Sequence, residues 1–121
     1  MAKILTVDDA VSIRTALSHI LSSLGHQVIS KENGREALEY AREEEVDLVI
    51  TDLNMPEMNG MSLIGSLRRL DTYQGVPILV MTTETDEYKK KKARGVGATG
   101  WIAKPFTEER IVNALQKVLR N

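Results

Sequence analysis

Five residues with phosphate or metal chemistry lie far apart in this 121-residue chain: Asp8, Asp9, Asp52, Thr82 and Lys104. Each follows or closes a short apolar run, namely Ile4 to Val7, Leu48 to Thr51, Ile78 to Met81 and Trp101 to Ala103. In an open parallel sheet the carboxyl ends of the strands share one edge, where ligand crevices form. Three carboxylates, a hydroxyl and an ammonium would then meet in one pocket. Two carboxylates ~5 Å apart repel by roughly 3 kcal/mol at an effective dielectric of ~20, so such a cluster holds either a proton or a cation. Hard oxygen donors without His or Cys beside them favour Mg2+, which takes one or two carboxylates together with phosphate oxygens and water. Asp52 is the candidate nucleophile, because a carboxylate can form an acyl phosphate. Lys104 offers a flexible point charge to phosphate oxygens, and Thr82 a hydroxyl donor. Plainer readings exist for each residue alone. Asp8 and Asp9 suit the N-terminal dipole of a following helix, Lys104 an ordinary surface and Thr82 an ordinary strand end. The joint pattern favours the phosphoryl site.

The intervening segments must build that edge. Lys3 to Val7 reads as a buried strand. Ile13, Ala16, Leu17, Ile20, Leu21 and Leu24 have helical spacing, with Ser12 as the start and Gly25 as the stop. Gln27 to Ser30 is a weaker strand, and Asn33-Gly34 opens a helix through Glu45 with Ala37, Leu38 and Ala41 inward. Asp47 to Thr51 is a third strand, followed after the Met55–Gly60 turn by a helix carrying Leu63, Ile64, Leu67 and Leu70. Pro77 to Met81 is a fourth strand and Gly100 to Ala103 a fifth. Between them, residues 86–97 form a highly charged helix with Tyr88, Ala93 and Val96 as its apolar contacts. Thr107 caps a last helix with Ile111, Ala114, Leu115 and Val118 inward. Five βα units with right-handed crossovers predict an α/β fold: one doubly wound, five-stranded parallel sheet with helices on both faces. A helix with so little apolar surface gains little from docking, so 86–97 is expected to open more readily than 12–24.

Composition sets the frame. The length fits one domain over 1–121 with no output domain, and 42 % hydrophobic residues suffice for one core. No apolar run approaches a membrane span, no signal peptide is read at Met1-Ala2-Lys3, and there is no cysteine, so a cytoplasmic protein is expected. Residues 1–60 carry 5 basic and 11 acidic side chains, residues 61–121 carry 11 and 6. Lys89 to Lys92 and Arg94 supply much of the basic excess. They read as a solvated helix face able to meet an acidic partner rather than nucleic acid.

Val7-Asp8-Asp9, Thr51-Asp52-Leu53-Asn54-Met55-Pro56, Met81-Thr82-Thr83 and Lys104-Pro105-Phe106 together resemble a response-regulator receiver domain of the single-domain CheY-like chemotaxis type. The resemblance covers the whole chain in order and spacing. It implies the flavodoxin-like strand order 2-1-3-4-5, for which the chemotaxis receiver is a standing example. It also implies a phosphorylation switch rather than an enzyme acting on an external substrate. Asp52 would accept a phosphoryl group from a sensor histidine kinase, with Mg2+ held by Asp9, Asp52 and the backbone carbonyl of Asn54, and Asp8 acting mainly through water. Thr82 and Lys104 would bind the phosphoryl oxygens. The surface of the fourth helix, fifth strand and fifth helix would change its packing toward a downstream partner, with Trp101 at the aromatic switch position. Asn54 and Glu84 would hold the water for self-catalysed dephosphorylation, giving a short-lived phosphoryl group, and a separate phosphatase is a further candidate partner. The unphosphorylated chain is expected to be a monomer.

Three features depart from the resembled type. Thr83 stands where many relatives carry a smaller residue, and its branched side chain would narrow the water's approach. Trp101 stands where motor-binding receivers carry Tyr, so a core-packing tryptophan and a rotating switch are both open readings. The lysine run leaves the output target undecided between a flagellar motor, another protein and service as a phosphate sink. The Lys104-Pro105 bond is expected trans, with cis as the alternative that would aim the lysine at the pocket. Two other classes fit less well: an Asp-dependent phosphatase, which would show Asp-x-Asp where this chain has Asp8-Asp9-Ala10, and a flavin-binding relative, whose phosphate loop would not be acidic.

Overall fold

The computed structural model describes residues 1–55, 57–83 and 87–119. Strands β1 (Lys3–Val7), β2 (Gln27–Lys31), β3 (Leu48–Asp52), β4 (Ile78–Thr82) and β5 (Gly100–Ala103) alternate with helices α1 (Val11–Ser23), α2 (Gly34–Glu43), α3 (Gly60–Arg68), α4 (Glu87–Val96) and α5 (Glu108–Val118). The sheet is parallel throughout, as the alternation of elements implies, and its order β2-β1-β3-β4-β5 is the one the family resemblance implies. Period-two alternation along each central strand builds two cores. Ile4, Leu48, Ile50, Leu79, Met81 and Ile102 face one side, where Leu17 and Leu21 of α1 and Ile111 and Leu115 of α5 cover them. Leu5, Val7, Val49, Ile78 and Val80 face the other, against the buried faces of α2, α3 and α4. Burial of both sheet faces is why β1, β3 and β4 read as continuous apolar runs.

Helix starts follow the side-chain chemistry in most cases. Asn33, Asn59 and Thr107 each accept a hydrogen bond from the backbone N–H three residues on, at 2.8, 3.0 and 3.1 Å. Helix α1 differs from expectation: Ser12 lies inside it, and its N-cap is Ala10, which has no side-chain oxygen to offer. The chain is turned there by Asp8, whose Oδ1 accepts from Ala10 N at 2.9 Å. Helix α2 stops at Glu43 rather than Glu45, with Glu44 already extended. Carboxylates at a helix C-terminus oppose the macrodipole, and leaving the helix lets Val46 reach the core. In α4, Ala93 is buried and Val96 half-buried, but Tyr88 is 70 % exposed, contrary to its expected inward role.

Two interior contacts went unread in the sequence. The half-buried Arg68 guanidinium donates to the carbonyl oxygens of Tyr73, Val76 and Gly97 at 2.6 to 3.0 Å, joining the end of α3 to the entry of β4 and the exit of α4. Burial lowers its pKa. The buried Tyr73 hydroxyl donates to Glu44 O at 2.7 Å.

Candidate functional site

The strand order fixes the site before any side chain is placed. β1 and β3 are neighbours at the centre of the sheet, so Asp8, one residue beyond β1, sits beside Asp52, the last residue of β3. Carboxylate oxygens of Asp8, Asp9 and Asp52 all lie within 4.8 Å of one another. Asp8 and Asp52 are buried, while Asp9 is exposed at the mouth. Lys104, just past β5, reaches across the end of β4 and places its ammonium 3.1 Å from Asp8 Oδ2 and 3.3 Å from Asp52 Oδ1. The Lys104–Pro105 bond is cis, not trans.

Each group is held by local backbone. Asp52 Oδ1 also accepts from Leu53 N at 2.9 Å, and Thr51 Oγ1 donates to Asp52 O at 2.9 Å. Asp8 accepts from Ala10 N, and its carbonyl accepts from Arg14 Nη1 at 2.7 Å, so α1 grips the strand end from outside. Lys104 N donates to Thr82 O at 3.0 Å, which ties the lysine loop to β4. Gly60 N donates to Leu53 O at 2.8 Å. A Cβ on Gly60 would collide with the carbonyl oxygen of Asp52 and lie 2.8 Å from Leu53 Cα. Only glycine lets α3 start this close to Asp52.

The electrostatics follow from burial and from unequal charge. Desolvation raises the Asp52 carboxyl above its ordinary range; Lys104 opposes the shift and Asp8 adds to it. For Lys104, burial works against the ammonium, but the hydrogen bond to Asp8 and the charges of Asp52 and Asp8 outweigh it, and its pKa is raised. Three carboxylates against one ammonium leave a deficit that one divalent cation would balance. The donors suit Mg2+ in kind, being hard oxygens, and one oxygen from each of the three carboxylates lies within 4.8 Å of the other two.

The other expected residues among the described ones stand on β4, β5 and the loops that follow β3 and β4. Thr82 is buried at the end of β4, one residue beyond Met81, the register partner of Asp52. Asn54 and Thr83 are exposed on the two loops flanking the pocket. Glu84 lies outside the described residues, as does Pro56 of the turn before α3. Trp101 is half-buried on β5, with Lys90 Nζ 4.8 Å and Arg94 Cζ 5.0 Å from its ring centroid. Arg14 and Gly60 are neighbours that sequence reasoning missed, while Lys90 and Arg94, expected on a solvated face, meet the Trp101 ring instead. A basic residue one turn into the helix after Asp8-Asp9 was the available signal for Arg14, and the Asn59-Gly60 step for Gly60.

An acidic pocket with a lysine across it, at the carboxyl edge of a 2-1-3-4-5 sheet, is the arrangement expected of a receiver domain. Comparison with known proteins agrees. Residues 4–116 match the response regulator receiver domain. A chemotaxis protein CheY homolog of Campylobacter jejuni is 38 % identical over 119 residues, covering 97 % of this chain and 92 % of the relative. Protein PilH of Pseudomonas aeruginosa is 34 % identical over 119 residues, covering 98 % of each. The solved structure of the chemotaxis response regulator CheY4 of Vibrio cholerae superposes with a TM-score of 0.94 at 45 % identity, covering 98 % of both chains. The chain belongs to the response-regulator receiver family, as a CheY-like domain of two-component signalling.

Proposed function

We propose that this protein is a cytoplasmic phosphorylation switch of a chemotaxis or chemosensory-type pathway, in which Asp52 accepts a phosphoryl group from a sensor kinase phosphohistidine. The observation that carries this reading is the Lys104 ammonium lying between the Asp8 and Asp52 carboxylates, 3.1 and 3.3 Å away, with Asp9 completing the acidic group. An Asp52 carboxylate oxygen attacks phosphorus; the P–O bond forms as the P–N bond breaks, and the histidine imidazole leaves with its electron pair and takes a proton. Asp9, Asp52 and the Asn54 carbonyl would hold Mg2+, with Asp8 nearby, and the ion supplies charge neutralisation on the transferring oxygens. Lys104 would exchange a carboxylate partner for a phosphoryl oxygen, and the Thr82 hydroxyl would donate to another. Dephosphorylation returns the carboxylate when water attacks phosphorus and the acyl phosphate P–O bond breaks, releasing inorganic phosphate. Asn54 and Glu84 would orient that water and Thr83 would restrict its path.

The output follows from the opposite side of β5. A groove of about 610 Å3 lies along α4, β5 and α5, floored by Leu79, Trp101 and Ala114 and rimmed by Arg94, Arg110 and Lys117. An apolar floor inside a cationic rim suits an acidic protein segment. No described helix is long and apolar enough to cross a membrane. The test is calorimetric titration with beryllofluoride, a phosphoryl mimic, in Mg2+. Binding that requires Mg2+ and vanishes in Asp52→Ala supports the reading; equal binding by Asp52→Ala overturns Asp52 as the acceptor.

A further inference from the structure

The space beneath Trp101 is closed. Leu53, Val80, Thr82, Ala93 and Trp101 enclose only about 10 Å3 between the end of β4 and α4, room for about one water-sized probe. An indole cannot turn into that space while α4 stays where it is. Helix α4 also has little apolar hold of its own, with Ala93 as its buried residue. It meets the ring instead through two cations: Lys90 Nζ at 4.8 Å and Arg94 Cζ at 5.0 Å from the centroid, one helical turn apart along the same face. The competing partner of Lys90, Glu87 at 3.6 Å, is 81 % exposed, and such a pair holds a side chain weakly.

We propose that Lys90 and Arg94 form a cationic latch on Trp101, which holds the indole out of the space beneath it and ties α4 to the ring in the resting arrangement. The latch rests on the reading of the pocket as a phosphoacceptor, because its release is what phosphorylation would drive. Moving α4 away is what opens space beside Thr82, and the same motion carries Arg94 off the rim of the groove. Lys90 and Arg94 act here as positioning residues, through Trp101. By reciprocity, a latch that favours the resting arrangement must weaken binding of whatever favours the other.

The chain has one tryptophan, so its fluorescence reports the latch directly. The variant Lys90→Gln/Arg94→Gln removes both cations, and the exchanged variant Lys90→Arg/Arg94→Lys keeps them. Without Mg2+ or phosphoryl mimic, the double Gln variant should raise the acrylamide quenching constant about twofold, while the exchanged variant stays near the wild-type value. With Mg2+, the double Gln variant should bind beryllofluoride about fivefold more tightly or better, and the exchanged variant should not. Unchanged quenching in the double Gln variant overturns the latch, as does equal behaviour of the Gln and exchanged variants. Failure of the wild-type protein to bind beryllofluoride overturns the phosphoacceptor reading instead, and the quenching comparison then still decides the latch.

Discussion

Lys104 is the residue on which the charge of the pocket turns. It neutralises part of the Asp8–Asp9–Asp52 group before any metal enters, at 3.1 Å from Asp8 and 3.3 Å from Asp52. Removing it should therefore strengthen cation binding while weakening phosphoryl capture. In Lys104→Met we expect Mg2+ affinity to rise about fivefold or more, by the Coulomb term between an ammonium and a nearby dication, with slower phosphoryl uptake; calorimetry and uptake kinetics measure the two. Gly60 acts by what it lacks. Gly60→Ala drives a methyl against Asp52 and Leu53 backbone and should cost about 1–3 kcal/mol in urea unfolding, with uptake by Asp52 reduced as well. The charged residues of the pocket were legible because each stands at the end of an apolar run. Gly60 and Arg14 carried only weak signals, because one works through a close approach of backbone and the other through a side-chain bond to the Asp8 carbonyl, both of which appear only in the packed chain.

At the scale of elements, α4 is the piece with the weakest anchor. Leu17 and Leu21 sink α1 into the sheet, whereas α4 fully buries only Ala93, packs Val96 partly against the core and meets Trp101 through Lys90 and Arg94. Amide hydrogen exchange should show α4 opening faster than α1 by at least about tenfold; equal protection would contradict the account. The error over Tyr88 has a simple geometric cause. Five residues before Ala93, it stands about 140° around the helix, so the two cannot share a buried face, whereas Val96 stands near Ala93. Most other boundaries were legible from capping residues and apolar period. The start of α1 was not, because a residue of the preceding strand end, Asp8, turns the chain in place of a capping side chain.

At the scale of the whole molecule, the end of the sheet opposite the acidic pocket is tied by part-buried side-chain hydrogen bonds. There the Tyr73 hydroxyl and the Arg68 guanidinium bind carbonyl oxygens from distant segments. Desolvation, with nearby acidic groups adding to it, pushes the Tyr73 phenol up to about 12 from 10.0. A folded-state pKa above the unfolded one means stability is intact below about pH 10 and falls as pH rises from there through about 12. The loss should reach about 2 kcal/mol, and Tyr73→Phe should lack that component when urea midpoints are compared from pH 9 to 12. The doubly wound fold was legible as a whole because βα alternation and right-handed crossovers leave little choice of topology; the Arg68 and Tyr73 contacts were not, since no local pattern announces a donor that serves carbonyls elsewhere in the chain. The account stands most directly on phosphoryl uptake. Intact-mass measurement after incubation with acetyl phosphate should show one added phosphoryl group in the wild-type chain with Mg2+, and none without Mg2+ or in Asp52→Ala. The same adduct in Asp52→Ala, or in the wild-type chain stripped of Mg2+, would contradict it.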